Sequence, residues 1–217
     1  MRFSRELRRV ANPIWRDILR HPFLMELRDG TLSKESFKFF LAQDYIFLKD
    51  MTRCLALALT KSSDEEATRL LSEMHASSTG VELEAIRRLG ERVGITSFEG
   101  LSYAPACYAY TRHLLCTTLS GSFAEILSSI TPCYWSYKEI GDHFEGSADP
   151  VYDEWVKTYT SEGYARLVSR ILGVLDRIGI TATKGEKERT GAVFLTSSEY
   201  ELMFWDMAYR REGWRNP

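Results

Sequence analysis

The stretch Gly121–Asp142, GSFAEILSSITPCYWSYKEIGD, decides how the rest of the chain is read. At helical spacing Phe123, Ile126, Leu127, Ile130, Cys133, Tyr134 and Tyr137 share one face. Its first half is aliphatic, as a core-facing helix requires. Its second half turns to a thiol and rings with polar tips. Pro132 sits at the changeover, where it removes a backbone donor and crowds the preceding turn, so a kink is expected there. Two readings of Cys133 stand side by side: a small buried hydrophobe, or a reactive thiol in a pocket wall.

Working outward, the same helical period recurs and no window alternates with period two between turn signals. The first helix is expected from a Ser4 cap to about Leu19, bent at Pro13, with Phe23–Leu27 as a short apolar turn closed by Asp29-Gly30. A long second helix, about 34–61, carries Phe37, Phe40, Leu41, Asp44, Phe47, Leu48, Met51 and Leu55 as its stripe. A third, expected to open on a capping box at Ser63–Glu66 and run to about Val93, carries Leu70, Leu71, Met74, Val81, Ile86 and Leu89. The fourth, about 105–119, has Tyr108, Thr111, Leu115 and Leu119 as one stripe, flanked by Tyr110, His113 and Leu114. Helices over about 150–159 and 162–177 follow. Residues 181–189, TATKGEKER, read as a surface loop or frayed start, and a last helix from near Ser197 carries Glu201, Phe204, Trp205 and Ala208 on one face. The expected fold class is all-α, one helical-bundle domain over residues 1–217.

Asp44 and Glu201 break the pattern: each is a carboxylate on an apolar face. Charged side chains are rarely buried without a partner. Each therefore either belongs to a buried structural network or lines a polar site in the core.

Composition narrows the function. Twenty-eight basic and thirty acidic side chains, interleaved, leave a net charge of −2 and point to neither nucleic acid nor an anionic membrane. No apolar run reaches membrane-spanning length, and the first fifteen residues lack a signal-peptide core, so a cytoplasmic location is expected. Cys54, Cys107, Cys116 and Cys133 are scattered, without zinc-ligand or disulfide-framework spacing. No Glu-x-x-His pair, P-loop, G-x-G-x-x-G, H-E-x-x-H or G-x-S-x-G occurs, and haem on a lone histidine such as His21 has no supporting motif. Chemistry without a cofactor is the simplest enzyme reading. A non-catalytic helical regulator, or a haem- or quinone-handling protein, stands as the alternative.

From about Phe3 to Trp214 the chain resembles the TenA/thiaminase II family. The resemblance rests on His21-Pro22-Phe23, Asp29-Gly30-Thr31-Leu32, Gln43-Asp44, Ser120-Gly121 with Phe123–Leu127, Pro132–Trp135, Tyr200-Glu201, Phe204-Trp205 and Glu212-Gly213-Trp214, in that order. It implies a fold shared with haem oxygenases, a homotetramer, and no cofactor. It further implies hydrolysis of 4-amino-5-aminomethyl-2-methylpyrimidine to the hydroxymethyl pyrimidine in thiamine salvage, with possible cleavage of thiamine. The family's nucleophile matches Cys133, its catalytic glutamate Glu201 and its pyrimidine-anchoring aspartate Asp44. The site tyrosines match Tyr110, Tyr137 and Tyr159, and a ring-packing phenylalanine matches Phe204. Where some members carry a tyrosine three residues after the aspartate, this chain has Phe47, which keeps a stacking face but no hydroxyl.

Overall fold

The computed structural model describes residues 2–62 and 64–215. In order they form α1 (Phe3–Val10), α2 (Asn12–Leu19), α3 (Pro22–Arg28), α4 (Lys34–Leu59) and α5 (Glu65–Ser77). A π-turn (Ser78–Glu82) leads into α6 (Leu83–Arg92), followed by α7 (Pro105–Ser120), α8 (Phe123–Phe144), α9 (Pro150–Thr160), α10 (Glu162–Thr181) and α11 (Lys184–Arg210). No strand occurs among the described residues, and none of their helices is long and apolar enough to cross a membrane.

The bundle is built on α4, α7, α8 and α11. Each packs on its two neighbours around the ring, and α7 and α11 also meet across one diagonal. The backbones of α4 and α8 approach little, so they face each other across the wider diagonal. Aromatic rings fill that width. Phe40 stacks on Trp205 at 5.2 Å, and Trp205 also meets Phe23 at 5.3 Å and Tyr137 at 5.4 Å. Large rings bury much apolar area and hold helices apart at fixed spacing. Asp44 and Cys133 lie on the two helices that this spacing separates. The π-turn, α9 and α10 close the gap on one side.

Several expected elements change on inspection. Ser4 does not cap the first helix: Arg2 holds the cap position, and the buried Ser4 donates its backbone N–H to Asp176 Oδ1 at 2.8 Å. The segment 3–19 is two helices rather than one bent helix, because the missing N–H and ring of Pro13 break the ladder at Ala11. Phe23–Leu27 lies within a helix, started by Pro22 and capped by His21, whose Nδ1 accepts from the Phe23 N–H at 3.2 Å. The His21 Nε2 faces Asp206 at 3.6 Å, so both ring nitrogens are engaged in structure.

The Ser63 cap lies outside the described residues; Asp64 occupies the cap position of α5 and accepts from the Ala67 N–H at 2.8 Å. On α7 the buried face runs through Cys107, Tyr110, Thr111, Leu114 and Thr118, while Tyr108 and Leu119 are exposed. The face is therefore centred on the residues expected to flank it. Helix α10 runs past the expected end near 177 to Thr181, and Gly179 lies inside it, where a Cβ would fall 2.3 Å from that of Phe3, so its bareness lets α1 lie against α10. The largest correction is at 181–189. That polar segment opens α11, fixed by a capping box in which Glu186 N–H donates to Thr183 Oγ1 at 3.3 Å and Thr183 N–H to Glu186 Oε2 at 2.7 Å.

Candidate active site

Helix α8 starts on a second capping box, Ser122 with Glu125, and runs unbroken past Pro132. Serine and threonine hydroxyls crowd the turn before the proline. Thr131 Oγ1 donates to the Leu127 carbonyl at 2.6 Å and Ser129 Oγ to that of Ile126 at 2.7 Å. These bonds go to carbonyls that keep their helical donors and not to that of Ser128, which the missing proline N–H leaves open; such back-bonding tends to bend a helix. One residue later the partly buried Cys133 faces the gap between α8 and α4.

A cavity of about 20 Å³ occupies that gap. Asp44, Leu48 and Met51 of α4, Cys133, Tyr134 and Tyr137 of α8, Tyr159 of α9, Tyr164 of α10 and Glu82 of the π-turn line it. That volume accommodates roughly one water. A ring-sized ligand therefore requires the lining to part; Glu82, Cys133, Tyr159 and Tyr164 are its partly buried members.

Glu201 comes from α11 and is 2 % exposed. Tyr110 donates its hydroxyl to Glu201 Oε1 at 2.6 Å. The buried Ser136 hydroxyl also faces this carboxyl, and no partner of good geometry satisfies it. Burial pushes the Glu201 carboxyl up to about 7, against the opposing pull of those two hydroxyls. Asp44 forms no hydrogen bond or ion pair among the described residues, and burial, then the Glu82 and Glu201 charges, hold its carboxyl well above the usual range. Asp44 thus lines the cavity with no partner among the described residues. Burial also pushes the Cys133 thiol well up, assisted in turn by Glu201, Asp44 and Glu82. Three carboxyls thus act on one sulfur. A free-standing thiolate is disfavoured here.

The other expected residues assemble around these groups. Tyr137 meets Tyr159 at 4.9 Å, and both border the cavity. Phe47 packs on Tyr110 at 5.0 Å and on Phe204 at 5.7 Å, forming an apolar wall behind the Glu201 carboxyl. In this wall the Phe47 ring meets other rings, an environment suited to a residue without a hydroxyl. Of the eight residues singled out from sequence, Asp44, Cys133, Tyr137 and Tyr159 line the cavity, while Glu201, Tyr110, Phe47 and Phe204 are joined to one another by contacts and do not line it. No cluster of metal-ligating side chains occurs among the described residues.

Sequence reasoning missed Glu82, Tyr164 and Ser136, and placed Tyr134 on the face beside Cys133 without giving it a role. Glu82 had been passed over in favour of Val81, which is 67 % exposed. The signal was present in the spacing. Met74 to Ile86 is about 3.3 turns at 3.6 residues per turn, but almost three whole turns once one residue is looped out. The π-turn supplies that extra residue, turning Val81 outward and Glu82 in. Tyr164 marks itself less clearly; its hydroxyl donates to the Tyr134 carbonyl at 3.0 Å and ties α10 to α8 beside the cavity.

Comparison with known proteins places this geometry. Residues 8–211 match the model of the TENA/THI-4/PQQC family. An aminopyrimidine aminohydrolase from Halalkalibacterium halodurans is 34% identical over 99% of this chain and 98% of its own length. A solved TenA homologue from P. horikoshii OT3 superposes with a TM-score of 0.89 at 31% identity, covering 97% of this chain and 99% of that one. A protein with a haem oxygenase-like fold from Shewanella denitrificans, at 16% identity and TM-score 0.74 over 95% of this chain and 91% of its own, shares the fold alone.

Proposed function

The chain belongs to the TENA/THI-4/PQQC family, and from that membership together with the carboxyl–thiol cluster we propose that it is an aminopyrimidine hydrolase of thiamine salvage. Its reaction converts 4-amino-5-aminomethyl-2-methylpyrimidine and water to the hydroxymethyl pyrimidine and ammonium. The observation that carries this reading is the meeting of Cys133 and Asp44 in one cavity, with Glu201 acting on the same sulfur at a pKa of about 7.

Direct displacement at the 5-methylene is slow because the aromatic ring does not help expel the substituent. Addition of the Cys133 sulfur to the ring breaks the aromaticity and splits one hard step into two easier ones. The raised thiol pKa decides how the proton moves. Sulfur enters as S–H, Glu201 carboxylate takes the proton, and the resulting acid delivers it to a ring nitrogen as the C–S bond forms. No isolated thiolate accumulates. Electrons of the enamine so formed then expel ammonia from the methylene, leaving an exocyclic C=C. Water adds its hydroxyl to that carbon, its proton ends on ammonia, and the C–S bond breaks to restore the ring and the thiol. A general acid–base works best with a pKa near the working pH, as Glu201 has.

Asp44, unpartnered in the cavity wall, accepts from the ring amino group and fixes which ring face meets the sulfur. Tyr137, Phe47 and Phe204 supply apolar faces for the ring, while Tyr110 and Tyr159 border it with hydroxyls. We read the chain as one domain that assembles as a homotetramer in the cytoplasm. The deciding experiment is turnover of the aminomethyl pyrimidine and of thiamine by the purified protein and by Cys133→Ala. The variant is expected to fold normally and to lose hydrolysis of the aminomethyl pyrimidine by at least about 10³-fold. Near-wild-type turnover by it removes Cys133 as nucleophile.

A further inference from the structure

Glu82 is the one carboxylate at the cavity that the mechanism above leaves without a task. Its backbone belongs to the π-turn, a rare geometry that tends to occur at functional positions. Two neighbouring hydroxyls hold one of its oxygens: Ser77 Oγ donates to Glu82 Oε1 at 2.9 Å and Ser78 Oγ lies 3.3 Å from it. Ser78 is itself tied to the Tyr134 hydroxyl at 3.1 Å, so the support is anchored on α8. Among the described residues Oε2 has no partner, although Glu82 lines the cavity together with Cys133.

The neighbours place Glu82 at the opposite end from Glu201. Tyr110 and Ser136 bond or face Glu201, whereas Ser77, Ser78 and, through Ser78, Tyr134 surround Glu82. Cys133 lines the cavity with Glu82 and feels both carboxyls. If the ring amino group is held by Asp44 and the ring nitrogen by Glu201, the 5-methylene substituent is the part left over. In the aminomethyl pyrimidine that substituent is an ammonium, and in thiamine it is an aromatic cation. In the product it is a neutral hydroxyl.

We propose that Glu82 binds the cationic substituent on the pyrimidine 5-methylene through its free Oε2, so that the site prefers substrates with a positively charged leaving group over the neutral product. The inference rests on the aminopyrimidine reading. A charge-assisted hydrogen bond in a water-poor pocket gives the preference. It also explains a carboxylate that burial disfavours and no cation among the described residues relieves: its partner arrives with the substrate.

Binding in the Cys133→Ala background, where no turnover intervenes, tests this by titration calorimetry. Addition of Glu82→Gln is expected to weaken the aminomethyl pyrimidine about 10- to 100-fold and the neutral hydroxymethyl pyrimidine by less than about threefold. Glu82→Ala supplies a second neutral side chain and is expected to give the same selectivity. Equal weakening of both ligands, or of neither, overturns the proposal while leaving the aminopyrimidine reading intact. Failure of Cys133→Ala to bind either pyrimidine, in a protein whose wild type does not hydrolyse them, overturns both.

Discussion

Glu201→Gln is expected to stabilise the protein at alkaline pH while abolishing its chemistry, and the size of the gain follows from the pocket. Burial lifts the Glu201 carboxyl from 4.5 to about 7. Between those values the folded chain holds a proton that the unfolded chain has released. The unfolded state then binds fewer protons, so stability falls as pH rises through this window. Raising the carboxyl from 4.5 to about 7, at 1.36 kcal/mol for each pH unit between them, amounts to about 3 kcal/mol lost by pH 8. Glutamine does not titrate. Its oxygen still accepts from Tyr110, and its amide can donate to the unsatisfied Ser136 hydroxyl. Denaturant unfolding at pH 5 and pH 8 measures the difference. The two proteins are expected to agree to within about 1 kcal/mol at pH 5, with the variant ahead by about 3 kcal/mol at pH 8. The raised carboxyls of Asp44 and Glu82 titrate in both proteins and largely cancel in that comparison. A wild-type-minus-variant difference that does not change with pH refutes the assignment of the raised pKa to Glu201.

Tyr110→Phe removes the hydrogen bond that favours the Glu201 carboxylate, worth about 1.5–3 kcal/mol to a charged acceptor. The acid limb of kcat/KM, near pH 7 in the wild type, is expected to move up by about 1–2 units, with activity recovered above it, and a pH–rate profile reads this directly. Gly179→Ala sets a helix-propensity gain of about 1 kcal/mol against overpacking of about 1–3 kcal/mol. A Cβ 2.3 Å from that of Phe3 meets an atom no rotamer can move, so overpacking wins and the melting temperature falls. Phe3 and Gly179 do not border the cavity, so kcat/KM of the folded variant stays unchanged.

Much of the fold was legible because long apolar stripes recur at helical spacing. On α4, Phe37, Phe40, Leu41, Phe47, Leu48, Met51 and Leu55 are all buried as that spacing requires. The failures have local causes. At 181–189 composition outweighed the cap: no residue there is buried, so no stripe marks the helix, and only the Thr183-x-x-Glu186 pattern announces its start. On α7 helical spacing groups Leu115 and Leu119 with Tyr108 and Thr111, but the buried face follows Tyr110 and Leu114, the side turned toward α4 and α11. Spacing alone did not separate these two faces, because both carry apolar residues.

The site was legible to the extent that it violated the rules of the core. Asp44 and Glu201 stood out because a carboxylate inside an apolar stripe is costly, and the pocket bears out that cost in two strongly raised pKa values. Glu82 lines the cavity with its carboxyl also raised by burial, and stayed hidden, since uniform 3.6-residue spacing assigns its place to Val81. The period that reveals helices assumes constant pitch. Where a π-turn adds a residue, the pattern after it shifts, and the residue turned inward is the one that uniform spacing discards. Ile86 and Leu89 carried that shift in their distance from Met74. A break in phase between two otherwise regular apolar runs is therefore itself evidence for a site, and here it leads to the third carboxylate acting on Cys133.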